Sequence, residues 1–156
     1  PQFRGANILN WVLVNGEEHT GITIHKMVDR VDAGPILIQK RIDIKKDDTA
    51  LTLREKLICL AIELIPIALD SLQSGNYELH YQDESLARYY IRRTLEDGYL
   101  EWNWSTERIY NLIRALVKPW PGAWYIEDNK KIIIDYFISF SDLEKLQKEK
   151  FANGSK

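Results

Sequence analysis

Two neighbouring stretches that read as strands limit what this chain can fold into more than any other feature. Residues 21–28, GITIHKMV, set Ile22, Ile24 and Met27 against Thr23 and His25. Residues 35–44, PILIQKRIDI, open on Ile36, Leu37 and Ile38 and read as a second strand. Successive side chains of a strand point to opposite faces, so the first run predicts a half-buried strand. Pro35 lacks an amide proton and suits the first residue of the second strand. The intervening DRVDAG, with Asp29 and Asp32, supplies the connecting loop. An aspartate before Ala-Gly is ordinary turn chemistry, because its side chain can bond the local backbone.

Helices flank these strands. From residue 49 to 74, Leu53, Leu57, Leu60, Ala61, Leu64, Ala68 and Leu72 recur near the helical period, with Asp48 or Thr49 as cap and Gly75 as stop. Pro66 inside that run is expected to kink the helix or split it. A second helix is expected from Ser105 to Lys118, with Ile109, Leu112, Ile113, Leu116 and Val117 as its stripe and Pro119 as its end. Residues 6–15, ANILNWVLVN, fit a buried helix or a strand equally well, and Asn15-Gly16 closes them. AWYIEDNKKIIIDYF, residues 123–137, predicts a β-hairpin about an Asp-Asn turn, and the charged tail DLEKLQKEK is weakly helical.

A length of 156 residues, 45% hydrophobic and 28% charged, suffices for one sizeable core, and a net charge of -2 gives no electrostatic reason to expect nucleic acid. The lone Cys59 lies in an apolar periodic stretch and reads as a buried small hydrophobe. It has no partner for an internal disulfide, which fits a reducing, cytoplasmic setting. No apolar run reaches the about 18 residues of a membrane span. The ends, PQFRGAN and KEKFANGSK, read as those of a piece of a longer protein. No P-loop, GxGxxG, CxxC or HExxH occurs, and His19, His25 and His80 lack ligand spacing, so no metal is expected. His25 on its strand reads as an ordinary surface or packed residue. Arg92 and Arg93, flanked by aromatics, could grip phosphate or form a solvated pair. Trp120, between Pro119 and Pro121, packs a junction or walls a pocket.

Taken together, FRGANILNWVLVNGEEHTGITIHKMVDRVDAGPILIQKRIDI resembles the central part of the folate-dependent formyltransferases. Pro1, Arg4 and Gly5 match that family's Pro-x-x-Arg-Gly. Asn10, Trp11, Asn15, Gly16, Glu17, Thr20 and Gly21 match its NW-x-L-x-NGE-x-x-TG block, and Asp32, Gly34, Ile36 and Gln39 its Asp-x-Gly-x-Ile-x-x-Q signature. IHKMV, Arg92-Arg93 before Thr94, and the later WPGAW resemble the nucleotide-sugar N-formyltransferases more than the methionyl-tRNA or glycinamide ribonucleotide enzymes.

The resemblance implies an α/β fold: residues 1–118 as the C-terminal portion of a Rossmann-like catalytic domain, and 119–156 as linker and hairpin opening a small β-containing C-terminal domain. It implies formyl transfer from 10-formyltetrahydrofolate to the amine of a nucleotide-linked amino sugar, in lipopolysaccharide biosynthesis, without metal, membrane or nucleic acid. Asp32 would be catalytic, supporting a histidine of an upstream Asn-x-His motif. Arg4, Gly5, Val28, Asp29, Arg30, Val31 and Asp32 would meet the folate, and Arg92, Arg93 and Trp120 the sugar nucleotide. Without Asn-x-His, this piece alone is expected to be inactive. Trp124, Tyr125, Tyr136 and Phe137 would form a homodimer face or a second core. The alternatives are a methionyl-tRNA formyltransferase and a truncated, non-enzymatic paralogue.

Overall fold

A computed structural model describes residues 2–153, so Pro1 and the final Gly-Ser-Lys lie outside the described residues. Helix and strand mix throughout. In chain order the elements are β1 (Arg4–Gly5), α1 (Ile8–Val14), β2 (His19–His25), β3 (Ile36–Asp43), α2 (Ala50–Ser74), β4 (Tyr89–Tyr90), α3 (Thr106–Ala115), β5 (Ala123–Glu127), β6 (Lys130–Ile134) and α4 (Phe140–Asn153). The described strands form three two-stranded sheets: β1 with β4 in parallel, and the antiparallel pairs β2–β3 and β5–β6.

The ambiguous residues 6–15 resolve into α1, and packing decides the matter. Val12 and Leu13 enter a core with Leu53 of α2, Ile109 and Ile113 of α3, Tyr125 and Ile134 of the β5–β6 hairpin, and Leu143 of α4. Asn10, buried in that helix, donates its side-chain amide to the Ala115 carbonyl at 2.6 Å. That bond occupies a carbonyl at the C-terminal end of α3, which has no partner within its own helix. One core therefore runs through both halves of the chain. Tyr125, expected on the aromatic hairpin face, belongs to it, whereas Tyr136 and Phe137 are exposed.

Helix α2 starts as its sequence demands. Thr49 and Thr52 bond reciprocally as a capping box, and the positive-φ Gly75 closes the other end. Three bonds from α3 hold the turn before it: Tyr110 Oη reaches the Lys46 carbonyl at 2.8 Å, and Arg114 Nη1 reaches those of Lys45 and Asp48. Pro66 does not split the helix, which is continuous. The Ile62 carbonyl that Pro66 cannot serve lies on the exposed side, where solvation can replace the missing bond.

Three expectations need correction. Cys59 is exposed rather than buried, because the helical period carries it to the face opposite Leu60, Leu64 and Ala68. Met27, grouped with the apolar strand face, is 88% exposed, since β2 has already ended at His25. Although no uninterrupted apolar run of membrane length occurs in the sequence, α2 is by length and composition long and apolar enough to cross a membrane. Ile58, Ile62, Ile65, Leu69 and Leu72 form an exposed stripe along it.

Asp48, buried at the start of α2, pairs with Lys56 at 2.7 Å. Burial opposes its charged form, yet bonds from Lys56, the Lys45 amide and Thr52 hold its carboxyl below the usual range. Stability from such a group is complete above its unfolded pKa, about 3.9, and is lost as pH falls through the lower folded value. Asp48→Asn is expected to flatten the decline in urea midpoint between about pH 5 and pH 2. Identical acid slopes in variant and wild type would contradict this role.

Candidate functional site

The loop between β2 and β3 is drawn tight by its own chemistry. A Cβ added to Gly34 would stand 1.7 Å from the Lys26 carbonyl oxygen, so the two sides of the turn approach as closely as only glycine allows. Asp32 adopts φ 56°, the left-handed region that aspartate tolerates better than most residues. This conformation directs its carboxylate across to β1, where Oδ2 accepts the Gly5 amide at 2.9 Å. His25, at the end of β2, brings Nε2 to 4.0 Å from Asp32 Oδ1. Gln82 donates its amide to the carbonyls of Asp32 at 2.9 Å and Gly34 at 2.7 Å. Gly5, His25, Asp32 and Gln82, with Phe3, Arg4 and Thr23, line a cavity of about 270 Å³. Gln39 joins Thr23 on its wall through a 2.6 Å bond.

Arg4 is the buried cation behind this wall, 2% exposed. Its Nη1 donates to Glu84 and Tyr89, and its Nη2 to Gln82 and Glu84, at 2.8–3.1 Å. The fork to Glu84 raises the Arg4 pKa further, against the opposing effect of burial. A guanidinium held in this way fixes the cavity wall and has no terminal nitrogen left over for a ligand. Arg4, expected to meet the folate, thus stands at the site with its terminal nitrogens turned toward Glu84, Tyr89 and Gln82.

A second cavity, of about 300 Å³, opens where Asn7 and Asn10 meet Arg92, Arg93 and Trp120. The structure thus brings the three residues expected at the sugar nucleotide together, in unequal roles. Arg92 is exposed. Arg93 stacks at 4.5 Å over the Trp11 ring and donates to the Asp97 carbonyl at 2.6 Å. Burial lowers its pKa against the pull of Asp97.

Of the remaining expected residues, Gly5 and Asp32 line the first cavity, whereas Val28, Asp29, Arg30 and Val31 stand outside its lining. Val28 and Val31 are exposed, and Arg30 pairs with Glu84 at 2.8 Å. A β-bulge beside Ile24 and His25 interrupts the register just where His25 turns toward Asp32. Sequence reasoning missed His25, whose polar place in the alternation was the available signal, and Gln82, for which there was none. Among the described residues, no group of three His, Cys, Asp or Glu could hold a metal ion.

A family model described as formyl transferase matches residues 1–69, and one described as formyl transferase, C-terminal domain, matches residues 93–153. Among solved structures, a sugar N-formyltransferase from Shewanella sp is 26% identical, with a TM-score of 0.73, over 89% of this chain and 58% of that one. A 4-N formyltransferase from Francisella tularensis is 18% identical, with a TM-score of 0.75, over 89% and 59%. An N-formyltransferase from Helicobacter canadensis, solved with folinic acid and dTDP-3-aminofucose, is 22% identical, with a TM-score of 0.68, over 85% and 49%. The chain thus spans less than two thirds of the length of each.

Gly34→Ala is expected to open the turn, because the new methyl cannot share space with the Lys26 carbonyl. A destabilisation of about 1–3 kcal/mol should follow in urea unfolding. An unchanged midpoint would show that the close approach is dispensable.

Proposed function

Since this chain belongs to the formyl transferase family, we propose that the complete protein moves a formyl group from 10-formyltetrahydrofolate to the amine of a nucleotide-linked amino sugar. The observation that carries this reading is the Asp32 carboxylate, held by the Gly5 amide at the mouth of a polar cavity with His25 beside it. The N-formyltransferases of similar fold, one described as a sugar N-formyltransferase and another solved with folinic acid and dTDP-3-aminofucose, support the donor and acceptor classes.

In the proposed reaction the sugar amine adds to the formyl carbon, giving a tetrahedral oxyanion. An amine proton passes to a histidine, the bond from carbon to N10 breaks, and the proton is returned to N10 of tetrahydrofolate. Asp32 favours the protonated histidine by proximity of opposite charge. The catalytic histidine and the oxyanion-stabilising asparagine belong to the Asn-x-His motif that the resemblance puts upstream. Arg92 and Trp120 are assigned to the nucleotide end, as phosphate contact and stacking surface, with Arg93 holding that wall against Trp11. A homodimer is part of the same proposal, through the exposed aromatics after residue 135.

Asp32→Asn in the complete enzyme tests the assignment cleanly, since asparagine also tolerates the left-handed conformation. Turnover is expected to fall by at least about tenfold, with little change in melting temperature. Near-wild-type turnover would return Asp32 to the status of a turn residue. The 156-residue chain by itself is expected to give no turnover with 10-formyltetrahydrofolate and UDP- or dTDP-linked amino sugars.

A further inference from the structure

Residues 70–92 lie between the two matched segments, 1–69 and 93–153. Within them, we propose that Gln82, Glu84 and Tyr89 are positioning residues, a strap that holds the Asp32 turn in register for formyl transfer. The proposal rests on the functional reading above and adds residues to its site.

The strap is fastened at both ends. His80 exchanges two backbone bonds with Ile36 at the start of β3, at 2.8 and 2.9 Å. At the other end, Arg4 donates its backbone amide to Arg88, and Ala6 to Tyr90, both at 3.0 Å. Between these anchors each of the three side chains bridges the Arg4 guanidinium to the turn. Gln82 accepts from Arg4 at 2.8 Å and donates to the carbonyls of Asp32 and Gly34. Tyr89 Oη accepts from Arg4 at 3.0 Å and donates to the Val31 carbonyl at 3.3 Å. Glu84 takes the fork of Arg4 on one side and Arg30 on the other. Arg4 and Arg30 both lie over the Tyr89 ring, at 5.5 and 5.4 Å.

The turn needs such support. Asp32 is a non-glycine residue at positive φ, and Val28 and Val31 are exposed, so few apolar contacts fix the segment. Without outside bonds a turn of this kind samples several conformations, while catalysis needs its carboxylate held to within about half an ångström. Gln82 is the central tie, because both amide hydrogens go to turn carbonyls.

Gln82→Glu is the discriminating variant. A carboxylate keeps the acceptor for Arg4 and turns the two donors into acceptors facing carbonyl oxygens. In this chain, amide hydrogen exchange at Lys26 and Ala33, whose amides are bonded across and within the turn, is expected to quicken by at least about tenfold, with α3 unchanged. In the complete enzyme kcat is expected to fall about tenfold, with KM for the sugar nucleotide unchanged. Tyr89→Phe keeps the ring, removes the hydroxyl bridge, and should give the same pattern at about threefold. Wild-type exchange in the turn together with wild-type kcat would overturn the proposal. So would faster exchange spread equally over α3, which would make Gln82 a general stabiliser. Absence of turnover in the unmutated complete enzyme would defeat the functional reading instead, and the exchange rates would still decide whether the strap holds the turn.

Discussion

The buried guanidinium of Arg4 is the interaction on which the site depends. Moving a full charge out of water is costly, and it is offset only where good geometry meets the displaced hydration. Here Glu84, Gln82 and Tyr89 take up both terminal nitrogens, while Nε has no partner among the described residues. Those three partners come from the segment after α2, and each also touches the loop between β2 and β3. Satisfying one cation therefore draws together β1, that loop and the connecting segment, and the cavity is the space they enclose. Arg4 governs the shape of the cavity it lines.

A second polar centre plays the corresponding part in the core. Arg114, buried in α3, bonds the carbonyls of the turn that starts α2, and Asn10 ties α1 to the end of α3. Apolar burial supplies most of the favourable free energy, and these directional bonds select one arrangement of the three helices. Because α1 follows β1 by only two residues, the core also sets where Gly5 presents its amide to Asp32.

Much of the fold was legible because local periodicity survives into tertiary structure. Alternation gave β2, the apolar run after Pro35 gave β3, the cap and the glycine gave the limits of α2, and the Asp-Asn turn gave the β5–β6 hairpin. Periodicity names a face and says nothing about what covers it, hence the errors at Cys59 and Met27. Asp32 stood out only through resemblance, since an aspartate before Ala-Gly is common in turns. His25 was passed over because its closeness to Asp32 depends on a bulge that alternation does not encode. Gln82, Glu84 and Tyr89 carried no signal at all. They act on a loop about fifty residues earlier, from a segment lacking a regular period.

The central claim is that a formyl-folate is held against the Asp32 turn, and ligand mapping tests it most directly. Folinic acid titrated into the isotopically labelled complete protein should shift the backbone amides of Gly5, His25 and residues 30–34, with those of α4 unmoved. Shifts confined to the second cavity or to α2, with the Asp32 turn silent, would contradict the account.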